Sequence, residues 1–304
     1  MPQLSEVENR LHEVLGEFPD ATHLIDAGGK RMRPLLTLLG AEFGPCQENV
    51  VDAAVLAELI HVGTLHHDDV MDNAPVRHGV PTANALWGNN RAVLLGDLML
   101  ARAAELGAAL GMAALRLQTT TLARLVRGQL METVRPNTAD PMAFCLEVMA
   151  DKSASLIAMA VELGARVASA PASVCAALHT YGEHLGIAFQ LVDDVLDIVG
   201  GDSGKTPGTD LRAGVVTVPV LHALAAGDAA AERLRVLLVA GAVTDPDLHA
   251  EALRLLLDGP GPSLTLADAR RHAGLARAAL SSLAPIPARA ALDGLCDAVL
   301  ERVV

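Results

Sequence analysis

Aromatic side chains are nearly missing from this chain. Its 304 residues hold one Trp, one Tyr and four Phe, 2% of the total. That shortage disfavours a sheet rich in aromatic and β-branched residues, and it disfavours a surface that stacks nucleic-acid bases. Lysine is as scarce: of 23 basic residues only Lys30, Lys152 and Lys205 are lysines, and the formal net charge is −13. An acidic protein of this kind argues against a nucleic-acid partner. The four cysteines, Cys46, Cys145, Cys175 and Cys296, are scattered without a C-x-x-C pair. They build neither a zinc framework nor a disulfide scaffold, so a reducing, cytoplasmic setting is expected. No apolar run approaches the ~18 residues of a membrane span, and the opening stretch MPQLSEVENRLHEVLGEF is polar, without a signal-peptide core.

What is abundant is Leu, Val and Ala, within an apolar fraction of 51%. Such a chain buries a large core, and those residues suit packed helices. The periodicity predicts helices over 4–16, 34–43, 50–72, 91–109, 112–134, 141–168, 172–199 and 216–226, with about three more in the tail. Residues 75–90, rich in Gly, Pro and Asn, read as a loop, as does GGDSGKTPGTDLRAG at 200–214. No strand alternation stands out. The expected fold is all-α, a single domain over 1–304.

Two helices carry the same acidic signature. LHHDDVMD places Asp68, Asp69 and Asp72; FQLVDDVLD places Asp193, Asp194 and Asp197. Positions i and i+4 share a helix face, so Asp68 pairs with Asp72 and Asp193 with Asp197. Like charges at that spacing repel, and burying them unpaired is costly. A cation is called for, and two such triads offer an oxygen-rich cage for hard divalent ions, magnesium above all. A single D-D-x-x-D is often a solvated face; two copies in apolar helices are harder to dismiss.

The basic groups are the counterpart. Lys30, Arg31 and Arg33 lie in GGKRMRP, ahead of the helix opened by Pro34, where free N–H groups favour a phosphate. Arg77 and His78 follow the first triad, Lys152 opens DKSASLIAM, and Lys205 follows the second triad. Any one of them alone reads as a surface charge; together they suggest diphosphate ligands around a metal cage. His61 lies two turns before Asp68 on nearly the same face, and Gln190 lies three residues before Asp193, so both reach toward the acidic groups. His67, beside Asp68, reads as a packed histidine more readily than as a ligand.

In their order and spacing, the motifs GGKRMRP, HDDVMDNAPVRHG, WGNNRAVLLGDLML, RGQLMET, DKSASLIA, FQLVDDVLD, SGKTPGTDL and TVPVLHAL resemble the trans-isoprenyl (polyprenyl) diphosphate synthases, from about residue 25 to 225. The resemblance implies antiparallel helices around a deep central cavity, and a homodimer. It implies that Asp68, Asp72 and Asp193 hold magnesium, three ions with substrate bound, with Asp69, Asp194 and Asp197 in or near the shell. Arg77, Lys152 and Lys205 would bind an allylic diphosphate. Lys30, Arg33 and His61 would bind the diphosphate of isopentenyl diphosphate, and Gln190 would line the cavity. The activity implied is head-to-tail condensation of the two substrates to a polyprenyl diphosphate.

Two departures stand out. His78 occupies the place of a second arginine that would contact isopentenyl diphosphate, and Val215-Val216 stands where many members carry a lysine before the Thr-x-Pro segment. Small residues before the first triad, Gly63 and Thr64, imply an open path for a long tail, where short-chain enzymes place an aromatic floor. Three other readings stay open: a geranylgeranyl- or farnesyl-length synthase, a class I terpene cyclase, and a regulatory subunit of a heteromeric synthase. The second D-D-x-x-D and GGKRMRP argue against a cyclase, and two intact triads argue against a regulatory subunit.

Overall fold

The computed structural model describes residues 2–134, 139–200, 207–239 and 241–303. In chain order its helices are α1 Pro2–Leu15, α2 His23–Asp26, α3 Met32–Ala41, α4 Val50–Met71, α5 Ala83–Trp87 and α6 Asn89–Ala109. Then come α7 Met112–Val134, α8 Pro141–Met149, α9 Ser155–Val167, α10 Ala172–Val199 and α11 Thr209–Ala213. The remainder are α12 Val218–Ala225, α13 Ala229–Leu238, α14 Pro246–Asp258, α15 Gly261–Leu280 and α16 Pro287–Leu300. The all-α expectation holds, with corrections to several segments; among them α11 forms inside 200–214, which is expected as loop.

The first correction concerns 75–90, expected as loop. Strands β1 (Val76–Arg77) and β2 (Val80–Pro81) pair antiparallel there, and α5 follows. The two residues between the strands, His78 and Gly79, have φ of +52° and +81°. Positive φ at both positions is what a two-residue hairpin with the right-handed strand twist requires. The second correction concerns 141–168, expected as one helix. It is α8 and α9 joined by a π-helical turn at Ala150–Ala154. Single π turns inside helices are frequent at functional sites, and this one holds Lys152 and Ser153. The third correction is in the tail, which carries four helices after α12 and not three.

Local chemistry explains several boundaries. Asp140, Asp228 and Asp245 each accept a backbone N–H of the first turn of α8, α13 and α14, and Pro141 and Pro246 follow two of them directly. Both are good N-terminal signals. The α3 start differs from expectation: Met32 opens it after Arg31 in the left-handed region (φ 46°), and Pro34 sits in the first turn.

The chain forms two compact units. The first comprises Met1–Leu125, Ser155–Gly182 and Ser282–Leu292. In it, α4 packs against α1, α3, α6 and α9. Its sealed residues include Leu36, Leu56, Leu59, Ile60, Met99 and Met159, and buried Tyr181 donates its hydroxyl to Leu292 O at 2.7 Å. Backbones touch where α3 crosses α9: a Cβ added at Gly164 would collide with the Thr37 carbonyl, and one at Gly40 with the Val161 carbonyl.

The second unit comprises Val126–Ala154, Glu183–Ser281 and Asp293–Val304. Here α12 packs on α8, α13, α14 and α15, over a core of Ile198, Leu211, Val220, Leu234, Ala252 and Leu256. His184 on α10 meets His272 on α15, with Nδ1···Nδ1 at 3.2 Å. Arg271 can only donate, and it lies 3.2 Å from His272 Nε2. His272 therefore carries its proton on Nδ1 and donates it to His184. Burial, then the Arg271 charge and His184, lower the His272 pKa to about 4, against a smaller raising effect of Asp268; burial also lowers His184, opposed by Glu183.

Protons bind the unfolded histidines more readily than this pair, so stability is whole above the ordinary histidine value of ~6.5 and declines as pH falls toward 4. We expect the thermal midpoint to drop by several degrees between pH 7 and 4.5, and His272→Phe to flatten that part of the profile. An equal pH slope in the variant would show that the pair does not carry it.

Candidate active site

The first unit gathers the GGKRMRP segment, the first triad and the hairpin. Arg31 is a structural buckle: its guanidinium donates to Ile25 O (2.5 Å) and Gly28 O (3.1 Å) and pairs with buried Glu58 at 3.4 Å. Arg33 is different. Its Nε is sealed from solvent with no hydrogen-bond partner, and burial, opposed by Glu58, pulls its pKa down to about 10. Burial also holds His61 neutral, well below the ordinary histidine range, and Arg33, His78, Arg77 and Arg31 add to that effect in this order. Three arginines and a second histidine thus act together on one imidazole. Such a place attracts an anion. Lys30 is exposed on the same segment.

On α4, Asp68 is half-buried, Asp69 is buried, and Asp72 at the end of the helix is exposed. Asp69 Oδ1 accepts from Arg77 Nε at 2.6 Å, while its Oδ2 is buried without a partner. Burial raises its pKa despite Arg77. Arg77 thus anchors the hairpin to the triad. His67 faces α6, 3.2 Å from Val93 O and 3.3 Å from Asp97, which fits a packed histidine.

Gly63 departs from expectation. A Cβ there would lie 3.1 Å from Gly96 O and 3.2 Å from Met99 Cβ, so this position meets α6 and not open space. The glycine serves a close helix crossing. Thr64 is buried and donates its hydroxyl to His61 O at 2.9 Å.

The second unit holds a cavity of about 370 Å³. Phe144, Val148, Met149, Val215, Val216 and Leu221 form an apolar wall; Glu132, Lys152, Ser153, Gln190 and Asp194 form a polar end. Lys152 projects from the π turn and pairs with Glu132 at 2.5 Å. Small residues let neighbouring helices reach that turn: a Cβ on Gly128 of α7 would lie 2.6 Å from Lys152 N, and one on Gly186 of α10 would strike Ala154 Cα. Ser153 donates to Gln190 Oε1 at 2.9 Å, and Gln190 Nε2 donates to Asp194 Oδ1 at 3.1 Å. The chain of bonds fixes the Gln190 amide. Asp194 is buried, its Oδ2 lacks a partner, and burial pushes its pKa up to about 8 against the Gln190 bond.

Asp193 is half-buried and forms an ion pair with Arg302 at 2.7 Å. Asp197 accepts backbone N–H groups of Thr209 and Asp210, 3.1 Å to each carboxylate oxygen. Lys205 lies outside the described residues. Among the described residues, no three His, Cys, Asp or Glu side chains converge closely enough to hold a metal ion by themselves. Taken separately, the carboxylates of each unit still suit a hard divalent ion, and each unit leaves one carboxylate oxygen buried and unsatisfied, Asp69 Oδ2 in the first and Asp194 Oδ2 in the second.

Sequence reasoning placed no role on Glu132, Arg302 or the apolar cavity wall. Glu132 lies within RGQLMET, a motif local in the chain. Arg302, more than a hundred residues from Asp193, carries no local signal.

The polyprenyl synthetase family model matches residues 19–256, segments of both units. The chain belongs to the polyprenyl synthetase family. It is 42% identical to the nonaprenyl diphosphate synthase of Mycobacterium tuberculosis over 99% of this chain and 90% of that protein. The fold matches a decaprenyl diphosphate synthase from Rhodobacter capsulatus with a TM-score of 0.92 and 35% identity, covering 100% of this chain and 97% of that one. It also matches the geranylgeranyl pyrophosphate synthase of Corynebacterium glutamicum, complexed with calcium and isoprenyl diphosphate, at 0.89 and 39%, covering 99% and 95%. Within this polyprenyl synthetase family member, no described helix is long and apolar enough to cross a membrane.

Asp197 clamps the segment after residue 206 to the end of α10. Asp197→Ala should lower stability by about 1–2 kcal/mol, read from the urea midpoint, because two N–H groups lose their acceptor. An unchanged midpoint would show that the clamp holds nothing.

Proposed function

We propose that this chain is a prenyltransferase that condenses isopentenyl diphosphate with an allylic diphosphate, head to tail and trans, giving a long-chain polyprenyl diphosphate. The observation that carries the reading is the group of Arg33, Arg77 and Arg31 acting on His61, with Arg77 bonded to Asp69 of the first acidic triad at 2.6 Å. Anion-binding cations next to clustered carboxylates suit a substrate that presents a diphosphate together with divalent metal.

Lys30, Arg33 and His61 hold the diphosphate of isopentenyl diphosphate in this reading, and Arg77, Lys152 and Lys205 hold that of the allylic substrate. Asp68, Asp72 and Asp193 would hold magnesium, with Asp69, Asp194 and Asp197 in or near the shell; three bound ions would supply positive charge against the diphosphate leaving group. Lys152 leaves Glu132 to meet the allylic diphosphate oxygens, which stabilises the charge that develops as the allylic C–O bond ionises. The isopentenyl double bond then attacks the allylic cation, and a proton leaves from the new C5 unit to the released diphosphate. The fixed amide of Gln190 and the apolar wall of the cavity keep water from the cation.

The long-chain assignment draws support from the nonaprenyl and decaprenyl synthases among the relatives. A shorter, C20 product is the second reading, favoured by the likeness to a geranylgeranyl pyrophosphate synthase. Gly63 no longer bears on that choice, because its open side is filled by α6. Incubation with farnesyl diphosphate, isopentenyl diphosphate and magnesium, followed by product analysis, decides between them. Self-association as a homodimer is supported by a stripe on α7, Val126, Leu130 and Val134, exposed by 49%, 60% and 73%. Four free cysteines fit a cytoplasmic location.

Asp68→Ala and Asp193→Ala should each lower turnover about a thousandfold or more at saturating substrate, since charge stabilisation at the leaving group is the main catalytic effect. Near-normal turnover in either variant would refute the metal assignment. His78→Arg should lower the KM for isopentenyl diphosphate by about 3- to 10-fold and leave that for the allylic substrate alone, because arginine brings a permanent charge and a planar fork. An unchanged or raised KM for isopentenyl diphosphate would remove His78 from that subsite.

A further inference from the structure

Arg302 stands in the one-turn 3-10 segment Glu301–Val303 that follows α16. Its guanidinium makes two contacts with α10. Nη1 lies 2.7 Å from Asp193 Oδ1, and the guanidinium carbon lies 4.6 Å from the centre of the Phe189 ring. Phe189 and Asp193 are four residues apart, so ring and carboxylate share one helix face and seat the guanidinium together. Nη1 is buried, yet its N–H is not aligned for a hydrogen bond, so the contact with Asp193 is one of charge. The rest of α16 in this unit is tied down independently, by Arg277 of α15 to Asp293 and Asp297. Arg302 can therefore move without undoing the helix that carries it.

The electrostatics around this contact are demanding. Asp193 and Asp210 both act on buried Asp194 as like charges. A cluster of that sign, partly withdrawn from water, favours any cation within reach. Arginine does not lose its proton at accessible pH, so it can leave Asp193 only by moving away.

We propose that Arg302 is the resident counter-cation of the second acidic triad: it neutralises Asp193 in the metal-free protein, and a divalent cation binding to Asp193 displaces it. The inference rests on the assignment of Asp193 to metal binding made above, and adds a competitor built into the chain. A divalent cation on Asp193 and the guanidinium beside it repel one another, so metal loading works against the Arg302 contact. The Phe189 ring sets how firmly the guanidinium is seated. Arg302 is then a positioning residue that sets metal affinity and need touch neither substrate.

The test measures binding, not turnover, on the full chain. Manganese serves as the divalent probe, with the free ion followed by electron paramagnetic resonance. Wild type is compared with Arg302→Gln, Arg302→Lys and Asp193→Asn. Removing a partly exposed competing charge should tighten manganese binding about 2- to 5-fold in Arg302→Gln, whereas Arg302→Lys, which keeps the charge, should stay near wild type. Asp193→Asn should bind more weakly. Hydrogen exchange at Glu301–Val303 should speed up in wild type when manganese is added. Unchanged or weaker binding in Arg302→Gln, with Asp193→Asn still impaired, would overturn the competitor and leave the metal assignment standing. So would exchange at Glu301–Val303 that does not respond to metal. Binding by Asp193→Asn equal to wild type, or no manganese binding by wild type, would overturn the metal assignment and the inference with it.

Discussion

Carboxylates clustered on apolar helices must find positive charge or N–H donors, and much of the local architecture answers that requirement. Asp69 is taken inside the first unit only because Arg77 reaches it from the hairpin. Asp197 is satisfied by two backbone amides, Asp194 by the amide of Gln190, and Asp193 by Arg302. The six aspartates thus have unequal standing. Those bonded to the protein's own donors hold loops and strands in place, and the buried oxygens left over, on Asp69 and Asp194, mark where the demand is unmet. The same unmet demand makes the sites suited to hard cations.

Backbone irregularity serves this chemistry. The hairpin needs positive φ at His78 and Gly79, and only that turn brings Arg77 back over the triad that precedes it. The π turn at Ala150–Ala154 adds a residue to the helical ladder and carries Lys152 and Ser153 to the polar end of the cavity. Gly128 and Gly186 are the reason neighbouring helices can lie against that turn. His61 shows the converse effect. Half-buried and acted on by three arginines, it stays neutral and can donate a hydrogen bond to an anion without adding to the local repulsion.

Family membership and helical class followed from motifs that are contiguous in the chain. D-D-x-x-D at i and i+4, Gly-Gly before a basic segment, and long 3.6-residue periodicity are all local. α7 and α10 coincide with their expected limits because nothing interrupts their pattern. The boundary at Ala150 was invisible, since a π turn leaves the apolar periodicity almost unchanged. Gly63 misled for a related reason: a missing side chain reads the same whether it opens a passage or admits another helix.

What the sequence alone determined is therefore the set of groups available: two acidic triads, a scarce set of lysines, and helices apolar enough to carry them. Which oxygen is satisfied, and by what, was decided by the tertiary structure. Arg302 meets Asp193, and Glu132 meets Lys152, through contacts between segments far apart in the chain, and no spacing rule encodes those. Helical periodicity orients side chains only relative to their own helix. The sign and distance of the charge facing each carboxylate depend on how other helices pack against it.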